Sequence, residues 1–572
     1  MIMGWKSRIT PERAVLIGTI LAALAYIQDV RYDFILDDVA MILMSDTLSS
    51  WRNWKTIFVT QIFADKNPMV PVDRMAVHYR PIYRLWELLN AQLFGPVVPW
   101  WHITSLLLHV AVVFLVYQLG LKMLKERWTA ALAALLFAFH PIHAESVAYV
   151  TASTDILVTL FALISFLAYF RFREEGASPL YFAGSLLAAA LAMLSKETAV
   201  MFPWALVAYE AMREAPVETP ARTEKFWKRF VWTLPFFAVV GAYAGVRAFL
   251  FGTSAELAPG GKHLSALLDT PLVLVVYLRN LVWPLRLSFF YPAEWSSQWT
   301  FLKSAAVALV MVVAAFLWRR YRDPRGVRLQ LLWAALFFVP ALLGIYTFPL
   351  EEWVHDRHMY LVSVPLCLIA AAVLTDPKWP GKTSVLASSI VLAALLINLA
   401  VQVPRFSDDT SLFESALKVA PGSAVAHVWY GEALWNYGRK EEGLREFKTV
   451  TDLSPDSAPA FERYGAALAQ VGRDDQAMAE YERASHLASR PTQFRAFLLA
   501  EMAQIELRHS DFPEAATNMR EALQIAPQTL NYHALLAQTL SQQGRTKEAD
   551  EEMQLEASIR QRVFQEQRAS RN

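Results

Sequence analysis

Phe34-Ile35-Leu36-Asp37-Asp38 follows directly on the first long apolar segment of the chain, which spans about residues 12–30. Two adjacent carboxylates at a membrane boundary cannot enter lipid without a large cost. They must lie in water, in a protein cavity or against a cation, or else cap the helix that follows, since Asp is a good N-cap. What decides among these is the rest of the chain that reaches the same side of the membrane.

Further apolar segments, near the roughly 20 residues of a bilayer crossing, recur at 101–121, 128–142, 154–172, 179–194, 197–211, 230–251, 302–318, 328–346, 358–375 and 384–402. The stretch 269–290 is also apolar, but it holds Arg279, Asn280, Pro284 and Arg286. Such a set is expensive at mid-membrane and predicts a re-entrant or surface-lying segment. The expectation is eleven crossings plus one re-entrant segment. Only 18% of the 572 residues are charged, below the roughly 25% of soluble domains, which fits a polytopic membrane protein. A formal net charge of +1 excludes global attraction to nucleic acid. Cys367 is the one cysteine, which excludes an intrachain disulfide and a cysteine metal cluster. Lys6, Arg8 and Arg13 before Ala14–Ile27 fit an uncleaved first membrane helix better than a signal peptide.

Basic clusters set the orientation. With the N-terminus inside, Lys122–Arg127, Arg171 and Arg173, Arg213–Arg229, Arg319–Arg328, and Lys378 with Lys382 fall in inner loops, as the positive-inside rule requires. The long loop 31–100, the turn at 140–153, Lys196-Glu197, the 252–300 region, 351–357 and the C-terminal part then lie outside. The first outer loop carries Trp51, Trp54, Phe58 and Phe63, suited to the interface, then His78-Tyr79-Arg80-Pro81 and Trp100-Trp101.

From about residue 405 the composition becomes that of soluble helices, and a period of 34 appears. Gly431 recurs as Gly465, Gly438 as Gly472, Pro421 as Pro455 and Ala515 as Ala549. This is the tetratricopeptide pattern, with repeats at about 424–457, 458–491, 496–529 and 530–563, after a half-unit holding Phe413 and Ala416. Such repeats stack into a solenoid with a groove. The fold class is therefore all-α: a polytopic membrane domain over 1–404, followed by a repeat domain over 405–572.

Several ionisable residues gather on the outer side. His140-Pro141-Ile142-His143-Ala144-Glu145 closes the third crossing; two imidazoles and a carboxylate there could bind a metal, grip a phosphate or hydrogen-bond a sugar. Lys196-Glu197 joins two segments with almost no loop, as a neutralised turn or a partner for a lipid phosphate. Arg247 stands within a crossing, and Asp356-Arg357-His358 opens another. His102 and His109 share one helical face.

Asp37-Asp38, Tyr79-Arg80-Pro81, His102 with His109, the His140–Glu145 run, Lys196-Glu197, Arg247 and Asp356-Arg357-His358-Met359-Tyr360 together resemble the transmembrane and tetratricopeptide repeat-containing O-mannosyltransferases, membrane glycosyltransferases of the GT-C type. The resemblance covers nearly the whole chain. It implies a sugar carried on a polyprenyl or dolichyl phosphate and transferred, with inversion, to an acceptor hydroxyl on the non-cytoplasmic face. It implies that Asp37 or Asp38 is the base. Lys196, Arg247, Arg357 and Arg80 become the candidates for holding the donor phosphate, supported by His140, His143, Glu145, Glu197, His102 and Asp155. A divalent metal on the Asp pair with His140 or His143 stays open. Ser105 stands where the family has Asn, and Ala152-Ser153-Thr154-Asp155 where it has Gly-Arg-Ala-Asp, so sugar and acceptor stay open too. The expectation is a bacterial relative, in the inner membrane with site and repeats periplasmic, whose repeats hold a polypeptide acceptor or partner protein. The competing readings are a non-catalytic envelope scaffold and a ligase or polymerase of lipid-linked glycans.

Overall fold

The computed structural model describes residues 9–61, 78–175, 178–213, 226–252, 263–291, 300–322, 324–343, 354–488 and 492–569. Phe63 and residues 351–353 lie outside them. Every regular element among the described residues is helical. The chain divides into two compact units, Met1–Pro421 and Gly422–Asn572. The helix Asp409–Val419, grouped with the repeats on composition, thus falls in the first unit.

Among the described residues of the first unit, seven helical stretches are long and apolar enough to cross a membrane: Pro11–Arg31, Val98–Leu124, Val150–Arg173, Trp227–Phe251, Gly326–Leu343, Asp356–Leu374 and Gly381–Phe406. An eighth, Arg127–Phe139 with Pro141–Ala148, is bent by 49°. The chain is an integral membrane protein. These stretches match eight of the eleven expected crossings. Segment 179–194 forms the 17-residue helix Pro179–Ser195, and 197–211 begins as the 3-10 turn Glu197–Met201 and runs on into the 11-residue helix Phe202–Met212. At 1.5 Å per residue, both fall short of a hydrocarbon core about 30 Å thick. Segment 302–318 lies in the helix Thr300–Arg320.

Apolar helices in lipid associate through small residues and hydrogen bonds, and both occur here. A Cβ at Gly120 would stand 3.0 Å from the Ala130 backbone, so Val98–Leu124 and Arg127–Phe139 meet closely there. Ser165 Oγ donates to Ser185 O at 2.7 Å, and Ser185 Oγ donates to Ser165 O at 2.8 Å. This reciprocal pair joins Ser153–Glu175 to Pro179–Ser195.

The polar stretch near 280 has a physical account. The helix His263–Val282 ends and the turn Pro284–Arg286 follows. Irregular backbone in a membrane protein must find partners within the protein. Leu281 O accepts from His140 Nε2 at 2.8 Å, and Pro284 O from Asn398 Nδ2 at 2.7 Å. Leu287 O accepts from Arg405 Nη1. Arg279 bonds Asn280 Oδ1 and lies over the Tyr291 ring.

The second unit is four helix pairs: Ala424–Asn436 with Lys440–Leu453, Ala458–Gln470 with Asp474–Leu487, Gln493–Arg508 with Phe512–Ile525, and Tyr532–Gln542 with Thr546–Ala569. The third begins at Gln493, three residues before the expected 496, because its first helix is lengthened to 16 residues. Each turn within a pair has one left-handed residue: Gly438, Gly472, Ser510 and Gly544. Small residues occupy the crossings: a Cβ at Gly431 would meet the Phe447 ring at 2.7 Å, and one at Gly443 would meet Gly431 O at 2.9 Å. The second contact is to backbone, which cannot yield as a ring can. Gly443→Ala should therefore destabilise the array by about 1–3 kcal/mol, read as a lower denaturant concentration for proteolysis within 422–572 of the purified chain.

Candidate active site

The first span leaves the membrane through the turn Ile27–Arg31, and the chain then runs irregularly to Asp38. Phe34 and Ile35 are buried, Phe34 against the edge of Trp101. Leu36 adopts φ +50°, a left-handed conformation that is costly for a side chain of its kind. Asp38 is then fully buried. Its Oδ1 accepts from Thr151 N at 2.8 Å and Thr151 Oγ1 at 2.5 Å, and its Oδ2 from Ile35 N at 3.4 Å. Burial pushes its carboxyl up to about 8, although the Thr151 donors act in the other direction. It makes no side-chain bond to the turn Val39–Leu43 that follows, so capping does not explain it. Asp37, next in sequence, is exposed. One carboxyl of the pair is locked in protein and the other faces solvent. The next part of the loop is held by Arg84, which donates to Met41 O at 3.1 Å and Ser45 Oγ at 2.8 Å.

Three ion pairs stand close by. Lys196 Nζ meets both oxygens of Asp155, at 2.7 and 2.6 Å, with both side chains buried. Arg80 binds Glu197 through two nitrogens, at 2.9 and 2.5 Å, and His78 Nδ1 lies 3.5 Å from the same carboxylate. Arg357 Nη1 donates to Glu145 at 2.9 Å, and its backbone N–H donates to the other Glu145 oxygen at 3.1 Å. Arg357 also lies over the Tyr149 ring. These pairs feel one another: the fields of Arg80 and Arg357 reach Lys196, and those of Asp155 and Asp37 reach Arg357. Lys196 and Glu197 are sequence neighbours, yet each pairs with a remote residue. Burial pushes the Lys196 ammonium down in pKa, with Asp155 opposing. Burial alone would raise Glu197, but Arg80 and His78 hold it well below the usual carboxylate range.

The histidines play a different part from the one their spacing suggests. His140 accepts from Ile142 N through Nδ1 at 3.2 Å and donates to Leu281 O through Nε2, so it pins the bend in its own span. His143 bonds Phe137 O and Ser363 Oγ, both at 2.9 Å. His109 bonds Tyr360 OH at 2.7 Å. His102 is buried beside Tyr32. With both nitrogens of His140 and His143 committed, the donor set does not fit a metal shared with Asp37 and Asp38. No group of three His, Cys, Asp or Glu side chains forms a metal site among the described residues. Arg247 is half-buried one turn from Tyr243, whose hydroxyl donates to Tyr79 O at 3.0 Å.

Some contributors were not legible as site residues. Thr151 holds Asp38, and Tyr149 carries Arg357. Asp356 accepts from Asn280 Nδ2 at 2.8 Å and Tyr291 OH at 2.9 Å, which fixes the backbone just before Arg357. Asn280 in an apolar run was the available signal. The Arg357–Glu145 pair gives a test. Arg357→Met leaves a buried carboxylate uncompensated and should cost about 3–5 kcal/mol. The double variant with Glu145→Gln, whose amide oxygen still accepts the Arg357 backbone N–H, should recover most of that. Thermal unfolding in detergent measures both.

A family model described as dolichyl-phosphate-mannose-protein mannosyltransferase matches residues 85–243, the stretch that holds His102, Glu145, Asp155, Lys196 and Glu197. The protein O-mannosyl-transferase F38B6.6 of Caenorhabditis elegans is 22% identical over 77% of this chain and 63% of its own length. The protein O-mannosyl-transferase TMTC1 of Homo sapiens is 24% identical over 75% of this chain and 54% of its own. The chain thus spans less than two thirds of the length of these relatives. Among solved structures, an Archaeoglobus fulgidus oligosaccharyltransferase aligns with 70% of this chain and 56% of its own, at TM-score 0.41 and 14% identity. Over about three quarters of its length, then, the chain is similar to protein O-mannosyl-transferases, and the family match falls inside the membrane part.

Proposed function

We propose that the chain is a GT-C type membrane glycosyltransferase that moves a sugar from a polyprenyl-phosphate carrier to an acceptor hydroxyl on the non-cytoplasmic face. The observation that carries this reading is the exposed Asp37 beside three interacting cation–carboxylate pairs. The relatives' names favour a protein acceptor and mannose. The alternation of basic clusters with the apolar segments favours the outer face. In a bacterial envelope, the source the sequence favours, that face is the periplasmic side of the inner membrane.

The chemistry assigns the parts. A hydroxyl is a weak nucleophile and needs a base within reach. Asp37 is exposed and suited to that role; Asp38, buried and bonded to Thr151, instead fixes the loop. The carrier phosphate leaves as an anion, so cations must stand where that charge develops. The Arg80 and Arg357 side chains keep 13% and 19% exposure, whereas Lys196 is wholly engaged by Asp155. Arg80 and Arg357 meet the phosphate; Lys196 with Asp155 braces them, and Arg247 lines the approach. The groove of the repeat array captures the polypeptide acceptor, raising its concentration where transfer occurs.

Turnover of a polyprenyl-phosphate sugar by the protein in proteoliposomes tests the reading. Asp37→Asn should lower transfer by about 10²- to 10⁴-fold, while Asp38→Asn, whose amide oxygen can still accept from Thr151, should retain most of it. Near-normal activity in Asp37→Asn would remove the base. No turnover by the unaltered protein with any lipid-linked sugar would favour the scaffold, which needs none of these charges.

A further inference from the structure

We propose that Asp409 is a positioning residue for Asp37, bracing the strained backbone that presents it; the inference rests on reading Asp37 as the base. Leu36 at φ +50° immediately precedes Asp37, so any relaxation of Leu36 redirects the acid. Strained backbone persists only where surrounding contacts over-determine it. Within the loop, Asp38 N–H donates to Ile35 O and Val39 N–H to Leu36 O; two further contacts come from one short segment after the last span. Asp33 N–H donates to Ser407 O at 3.0 Å, and Leu36 N–H donates to Asp409 Oδ1 at 3.0 Å. The two bonds bracket the loop on either side of the buried Phe34 and Ile35.

Asp409 is available for this because its neighbour takes the helix-capping role. Asp408 caps Asp409–Val419, accepting from Ser411 N at 2.8 Å, and also accepts from the hydroxyls of Ser407, Thr410 and Ser411. The carboxylate of Asp409 reaches outward instead. The segment is itself fixed: Phe406 is buried, Arg405 is tied to Leu287 O, and Phe413 stacks on Phe290 at 6.0 Å. Asp38 is held separately by Thr151. Losing the Asp409 bond would therefore free Leu36 and Asp37 while leaving Asp38 in place.

The test uses the full chain in proteoliposomes, with a polyprenyl-phosphate sugar as donor. Asp409→Ala should lower kcat on the order of tenfold to a hundredfold, as expected for a misplaced reacting group, with KM for the donor little changed. Asp409→Asn keeps an acceptor oxygen and should restore kcat. Amide exchange at Leu36 is the readout that does not depend on turnover: it should quicken by at least about tenfold in Asp409→Ala, as local opening predicts, and not in Asp409→Asn. Unchanged exchange at Leu36 in Asp409→Ala would overturn the proposal, as would an Asp409→Asn as slow as Asp409→Ala. Wild-type protein that transfers no sugar, yet shows the exchange difference, would sink the glycosyltransferase reading and leave the brace standing.

Discussion

A charge taken out of water persists only opposite another charge, since the desolvation cost is several kcal/mol per ion. Lys196 and Asp155 meet that condition completely, and Arg80–Glu197 and Arg357–Glu145 meet it with some exposure to spare. The elements that carry these residues are far apart in sequence. Bringing them together requires the bend near His140, the extended residue Lys196 between two helices, and the fixed backbone before Arg357. The balanced cluster is thus a constraint on the whole membrane unit. It also leaves the three pairs without net charge.

The same demand acts on the backbone. Between Leu281 and Leu287 the chain is not continuously helical, and three carbonyls there are satisfied by His140, Asn398 and Arg405. A histidine that looks like a ligand in sequence is here a hydrogen-bond donor to main chain. This is the general hazard of reading His near polar residues as chemistry: a buried imidazole has two nitrogens to satisfy, and the nearest orphan carbonyl serves as well as a metal.

Much of the architecture was legible because it rests on periodicity. The 34-residue recurrence located four repeats to within a few residues, and the one displaced boundary, at Gln493, follows from an extra turn of helix. The polar cluster was legible as a set, since ionisable residues beside apolar segments have few places to go. Its pairing was not. Nothing in Lys196-Glu197 says that the two side chains choose different remote partners, and nothing in Asp37-Asp38 says which is buried. Helix length was not legible in the same way: hydropathy alone does not show that segments 179–194 and 197–211 end in helices of 17 and 11 residues.

In the tandem pair at 408–409 one carboxyl caps its own helix and the other reaches away to the first loop. This bears on how the protein can be dissected. A chain cut where the composition changes, after residue 404, loses Arg405, Ser407 and Asp409 together. Such a fragment would keep the three ion pairs of the candidate site, yet its first loop would have lost its tether. Its inactivity would be misread as a requirement for the repeats. A cut after Pro421 separates the two effects, because it removes the array and spares the tether.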